Sequence, residues 1–153
     1  MKVVPAVVGI DSNLKNGNHF LMVDYDDKLD LGGLVKEINR LQFKFDLNAA
    51  HIVESSENHY NVFFFEEDLD YFDALRIIHD TPCCKSFKSA RMHYDEMTLR
   101  LSPKIDPRTG MSKPKPKLVH IVSSKWEHEI TEEQQIIKYF VLRAINTVNF
   151  LTV

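Results

Sequence analysis

Cysteine is nearly absent from the 153-residue chain: Cys83 and Cys84 are the only two, and they are adjacent. Neighbouring cysteines are badly placed for a bridge within one fold and cannot supply a four-ligand zinc centre. A zinc-knuckle scaffold is thereby excluded, and a reducing compartment is favoured. Long hydrophobic runs are missing too. The apolar stretches are only a few residues long, too short for a transmembrane helix. The opening Met1-Lys-Val-Val-Pro-Ala-Val-Val-Gly-Ile-Asp11 has one lysine but too little apolar length for a secretory signal. The expectation is a cytoplasmic protein with no membrane partner. No stretch reads as a P-loop, a serine or cysteine triad, or a zinc-ligand framework. None of the seven histidines is spaced as the His-hydrophobic-His metal pair of a rolling-circle nuclease. Internal repeats are also lacking.

What remains is 44% hydrophobic and 27% charged residues, the balance of one globular domain spanning residues 1–153. Net charge is −3, but it is unevenly spread. From Cys83 to Lys117, the cations Lys85, Lys88, Arg91, Arg100, Lys104, Arg108, Lys113, Lys115 and Lys117 face only Asp95, Glu96 and Asp106, a balance of +6. The rest of the chain therefore carries −9. Such asymmetry reads either as a polyanion-facing segment on an acidic body or as a solvated basic loop. Within it, Lys113-Pro-Lys-Pro-Lys117 cannot join a helix interior or a ladder, so 103–117 reads as an exposed, basic, proline-bearing loop.

The remaining segments can be read by period. His19–Val23 is a short apolar run that ends in Asp24-Tyr-Asp-Asp27, and it reads as a central strand with acids at its C-terminal end. Val3–Ile10 is expected to pair beside it. Leu34, Ile38, Leu41 and Phe45 are spaced for a helix over 31–45. Ala50–Glu54 and Tyr60–Phe65 flank Ser55-Ser-Glu-Asn58 as a hairpin. Leu69, Phe72, Leu75, Ile77 and Ile78 mark a second helix that ends before Thr81-Pro82, with Glu66-Glu-Asp68 complementing its N-terminus. Met97–Ser102 alternates as a strand, and Leu118–Val122 is another. Thr131-Glu-Glu-Gln134 has capping-box spacing and opens a closing helix through Ile145. The class is α+β: an RRM-like or ferredoxin-like split βαββαβ core with an extra N-terminal strand, C-terminal strand and helix. That topology orders the core strands fourth, first, third, second, with two helices on one face and the other face open.

Strand parity then assigns the polar residues. Phe20, Met22, Asp24 and Asp26 point one way, Leu21 and Val23 the other. The open face is expected to carry Asp24 and Asp26, with His59 and Asn61 on the neighbouring strand. Asp95 or Glu96 and Arg100 should come from the last core strand. Two carboxylates one residue apart can share hard cations such as Mg²⁺ or Mn²⁺, and two such ions serve in-line phosphoryl transfer. A histidine and an arginine beside them suit a triphosphate. Each group also has a bland reading: the aspartates as a turn cap, His59 as a hairpin surface residue, Arg100 as an ordinary exposed strand residue.

Val23-Asp24-Tyr25-Asp26, Ser56-Glu57-Asn58-His59 and Leu99-Arg-Leu-Ser-Pro-Lys104, followed by Ile105-Asp-Pro-Arg-Thr-Gly110, together resemble the catalytic core of archaeo-eukaryotic primases and primase-polymerases. The resemblance covers roughly residues 19 to 110. It implies a nucleotidyltransferase acting in DNA replication of a mobile element or virus. Asp24 and Asp26 would bind two metals (Mg²⁺ or Mn²⁺) and act catalytically with His59. Ser56, His59, Arg100 and Lys104 would contact the nucleoside triphosphate. Lys85, Lys88, Arg91, Arg108, Lys113 and Lys115 would follow a DNA template, with any helicase on a separate chain. The sequence departs from the family at two places. Glu57 stands where the hairpin motif has serine or glycine, and Lys88-Ser-Ala90 stands where the third-motif aspartate is expected. Asp95 or Glu96 could substitute, parity favouring Glu96 and family usage Asp95. Without that third acid, the alternative is a non-catalytic nucleic-acid-binding module of the same fold.

Overall fold

The computed structural model describes residues 9–26, 29–88, 98–102, 105–111, 116–126 and 128–150. In chain order its elements are β1 (Gly9–Asp11), β2 (His19–Tyr25), α1 (Leu31–Phe45), β3 (Ala50–Ser56) and β4 (His59–Leu69). There follow α2 (Tyr71–His79), β5 (Thr98–Arg100), β6 (Lys117–Val122) and α3 (Glu132–Phe150). From β2 to β5 this is the βαββαβ succession of an α+β, ferredoxin-like core, with a strand before it and a strand and helix after it. No helix among the described residues is long and apolar enough to cross a membrane.

The helices start and stop where local chemistry says they should. Asp30 caps α1 by accepting from the Gly33 amide at 2.7 Å, and Asp46 ends it in the left-handed region. Thr131 and Gln134 cap α3 reciprocally: the Gln134 amide donates to Thr131 Oγ1 (3.1 Å) and the Thr131 amide to Gln134 Oε1 (3.0 Å). The β3–β4 hairpin turns through Glu57 and Asn58, and Asn58 takes φ 58°, a conformation asparagine tolerates.

Three expectations need correction. First, Glu66-Glu-Asp68 belongs to β4 and does not lead into α2. The buried Glu67 carboxylate accepts from the Asn48 backbone amide (2.6 Å) and side-chain amide (2.8 Å), which ties β4 to the loop after α1. Asp70 caps α2 instead, accepting from the Asp73 amide. In α2, Ala74, Ile77 and Ile78 are buried while Phe72, expected on the apolar stripe, is 77% exposed.

Second, the strand order differs. The main sheet is β2-β4-β3-β6, and β5 pairs antiparallel with β1 in a separate ribbon. The outer edge of β2 is already occupied: the Phe20 amide donates to the Ser12 carbonyl, and the Cys84 amide donates to the Asp24 carbonyl at 3.0 Å. The chain just before β2 and the chain just after α2 take the bonds that a fourth core strand would need. Of the N-terminal run, residues 3–8 lie outside the described residues.

Third, the central strands of the sheet have no open face. Phe20, Leu21, Met22 and Val23 are all fully buried, so both sides of β2 are covered. The register sets Met22 opposite Phe63, and His51 opposite Phe63 on the other flank. This face is closed by α3, which packs on β4 and β6 through Val141 and Ile145. The opposite face, with Val23, Val62 and Ile52, lies under α1 and α2. Tyr25 sits there, beside Glu37, Arg40, Thr81 and Cys83, and burial holds its phenol above the ordinary range. The physical reason is the length of apolar sequence: a strand that is hydrophobic at every position has two faces to bury.

Candidate functional site

Polar groups meet this core at the C-terminal end of β2. Strand register sets Asp24 directly across from Asn61 on β4, on the face where Met22 and Phe63 are buried just behind them. Leu99 of β5 packs inward with 6% exposure and brings the next residue, Arg100, to the same spot. Asp24, Asn61 and Arg100 together with Ser55, Leu99, Ser102 and Pro116 line a cavity of about 80 Å³. The Ser55 hydroxyl donates to the His59 carbonyl at 3.3 Å, fixing the hairpin that forms one wall. Asp24 is half-buried, and its carbonyl is tied to the Cys84 amide, so the backbone beneath the carboxylate is held from both sides. Neighbouring Cys83 is buried, and desolvation pushes its thiol up, away from a reactive thiolate.

Two of the expected site residues therefore converge, Asp24 and Arg100. Others do not join them in this cavity. His59 is half-buried at the start of β4, paired across the hairpin with Ser56. It shares the face of Asn61 but stands one strand repeat further on, and it does not line the cavity. Asp26 is half-buried where the chain leaves β2, and its Oδ1 is buried with no hydrogen-bond partner. Lys85 is exposed and Lys88 half-buried on a single helical turn over 85–88, while Arg108 is exposed in the turn over 107–109. Arg91, Asp95, Glu96, Lys104, Lys113 and Lys115 lie outside the described residues. The 103–117 loop is not exposed throughout: Pro116 is buried against the cavity, and Lys117 already belongs to β6. Ser102, at the end of the expected Met97–Ser102 strand, is buried as well.

The sequence reading passed over Asn61, Ser55 and Ser102 as site residues. Asn61 carried a readable signal: a single amide inside the otherwise apolar and aromatic run Tyr60–Phe65, at the parity that faces Asp24 across the ladder.

The divalent cation implied by the resemblance can be tested against these donors. Carboxylate, hydroxyl and side-chain carbonyl oxygens are the hard ligands such an ion takes, and an orphaned, buried Asp26 oxygen is a group that a cation would satisfy. Yet no three His, Cys, Asp or Glu side chains converge as a metal cluster among the described residues. The donors fit one ion that keeps several of its waters, not a closed protein cage. Comparison with protein-family models, with curated proteins and with solved structures found no match to this chain.

Proposed function

We propose that this chain is a primase-polymerase-like nucleotidyltransferase core that works on a DNA template with nucleoside triphosphates in the replication of a mobile element or virus. One observation carries the reading: Asp24 and Arg100, from strands far apart in sequence, line a single cleft at the edge of an apolar core. In this reading Asp24 holds Mg²⁺ or Mn²⁺ in the cleft, with Asn61 and Ser55 offering further oxygens, and Asp26, two residues on and outside the cleft lining, supplies a second carboxylate. Exposed Arg100 receives the triphosphate, because its planar fork matches phosphate oxygens in pairs. When bound, the ion supplies activation of a 3′-hydroxyl and neutralises the leaving pyrophosphate. A cleft of about 80 Å³ accommodates an ion and its waters, whereas organic ligands need roughly 300 Å³ or more. Sugar and base therefore lie outside it, beside exposed Arg100.

The test is primer synthesis and extension with labelled nucleotides and Mn²⁺. Asp24→Asn and Arg100→Ala are each expected to lower incorporation by about a hundredfold or more, the scale for removing one preorganised charge from a transition state. No incorporation by the unaltered chain, or full activity in Asp24→Asn, refutes the reading.

A second reading is favoured by the amide of Asn61, which faces Asp24 where an acid or imidazole would strengthen metal binding. It is a module of the same fold that binds nucleic acid without polymerising. It requires salt-sensitive binding that needs no metal and survives Asp26→Ala.

A further inference from the structure

On the opposite side of the sheet, between α1 and the chain leaving β6, lies a second cavity of about 300 Å³ lined by Asn39, Gln42, Phe43, Ser123, Ser124, Lys125 and Trp126. Its two aromatic rings are not core residues: Phe43 is 73% and Trp126 39% exposed. The Lys125 ammonium stands 5.0 Å from the Phe43 ring centre and 5.4 Å from that of Trp126, so one cation occupies the space both rings face. The walls are held in place from within. Gln42 donates to the Asn48 and Val122 carbonyls, and the Ser124 hydroxyl donates to the Leu47 carbonyl while accepting from the Trp126 amide. Asn39 and Ser123 are exposed at the rim, with donors and acceptors to spare. Among the described residues, no carboxylate lines the cavity.

We infer that this cavity is a stacking site for an unpaired base of single-stranded nucleic acid. Exposed aromatic faces with an adjoining cation and polar groups for a base edge are the features that single strands use. Lys125 covers the rings when the site is free and turns to a phosphate when a base takes its place. Lys36, two helical turns before Phe43 on the stripe shared with Asn39, extends the positive track along α1. Stacking here needs no metal and no chemistry at Asp24.

Trp126 is the only tryptophan in the chain, so its emission reports on this cavity alone. Full-length protein is titrated with a twelve-residue oligothymidylate, following Trp126 emission and, in parallel, the anisotropy of a labelled oligonucleotide. The expected result is saturable, salt-sensitive quenching whose midpoint matches the anisotropy. Phe43→Ala, a change at an exposed side chain, should weaken binding about tenfold. Lys125→Ala should lower the salt slope by about one. Asp24→Asn should leave the quenching unchanged even where it abolishes nucleotide incorporation, which separates this site from the proposed active site. Three outcomes would overturn the inference: no quenching, anisotropy that rises without quenching and ignores Phe43→Ala, or quenching by a polyproline peptide but not by the oligonucleotide.

Discussion

If α3 seals the face of the sheet that carries Phe63 and Phe65, the seal should be measurable at Ile145. This side chain is 1% exposed at the helix–sheet contact. Ile145→Ala removes three carbons, worth about 2.5 kcal/mol of transfer free energy at roughly 0.8 kcal/mol each. Incomplete collapse of the resulting cavity adds to this, giving a loss of about 3–4 kcal/mol. For a domain of this length that is a fall in Tm of about 10 °C, against a total stability of roughly 5–15 kcal/mol. The variant should therefore remain folded at room temperature. Urea unfolding should show a lower midpoint with an unchanged slope, because the surface exposed on unfolding is nearly the same. Ile136→Ala on the same helix is the control: Ile136 is exposed, and its truncation should change stability by about 0.5 kcal/mol or less. A loss below about 1 kcal/mol at Ile145 would mean that α3 does not grip the sheet. The face of Met22 and Phe63 would then be open, as the alternation in sequence first suggests.

Two further outcomes follow from groups buried beside α3. His51 is held neutral: burial, and then the charge of Lys138, lower its pKa to about 4. The unfolded chain takes up this proton near pH 6.5, so stability is complete above that value and falls as pH drops toward 4, by about 3 kcal/mol in all. Denaturation midpoints between pH 7 and 4 check this, and a His51→Leu variant with an equally steep acid limb would refute it. Gln134→Ala removes one half of the capping box and the bond from Gln134 Nε2 to the Glu67 carbonyl (3.0 Å). A loss of about 1–2 kcal/mol is expected in thermal melts. Gln134→Glu, which can still accept from Thr131 but cannot donate to Glu67, should retain about half of it.

Much of the fold was legible because its signals are local. The period of Leu34, Ile38 and Leu41, the capping spacing of Thr131 and Gln134, and the turn residues at 57–58 each fix an element without reference to distant chain. What escaped the reading depends on contacts between remote segments. That Cys84 bonds to Asp24 and displaces β5 from the sheet edge is written in no local pattern. The capping-box spacing marks the closing helix, but nothing in its own residues says which face of the sheet it covers. The candidate site divides in the same way. Asp24 and Arg100 could be placed by strand parity, whereas the choice of Asn61 over His59 as the partner of Asp24 rests on pairing register, which a two-residue turn sets and sequence periodicity does not.

The two-sided burial of β2 has a consequence for folding fidelity. In a strand apolar on one face only, slippage by one residue exposes the greasy side and corrects itself. Phe20 to Val23 offer no such penalty, since either face is content in oil. Only the polar residues at the ends distinguish the right alignment from its neighbours: His19, whose ring nitrogen meets the Ser12 hydroxyl at 2.9 Å, and Asp24 against Asn61. The aspartate assigned to chemistry is thus also the bookmark that keeps the central strand in step.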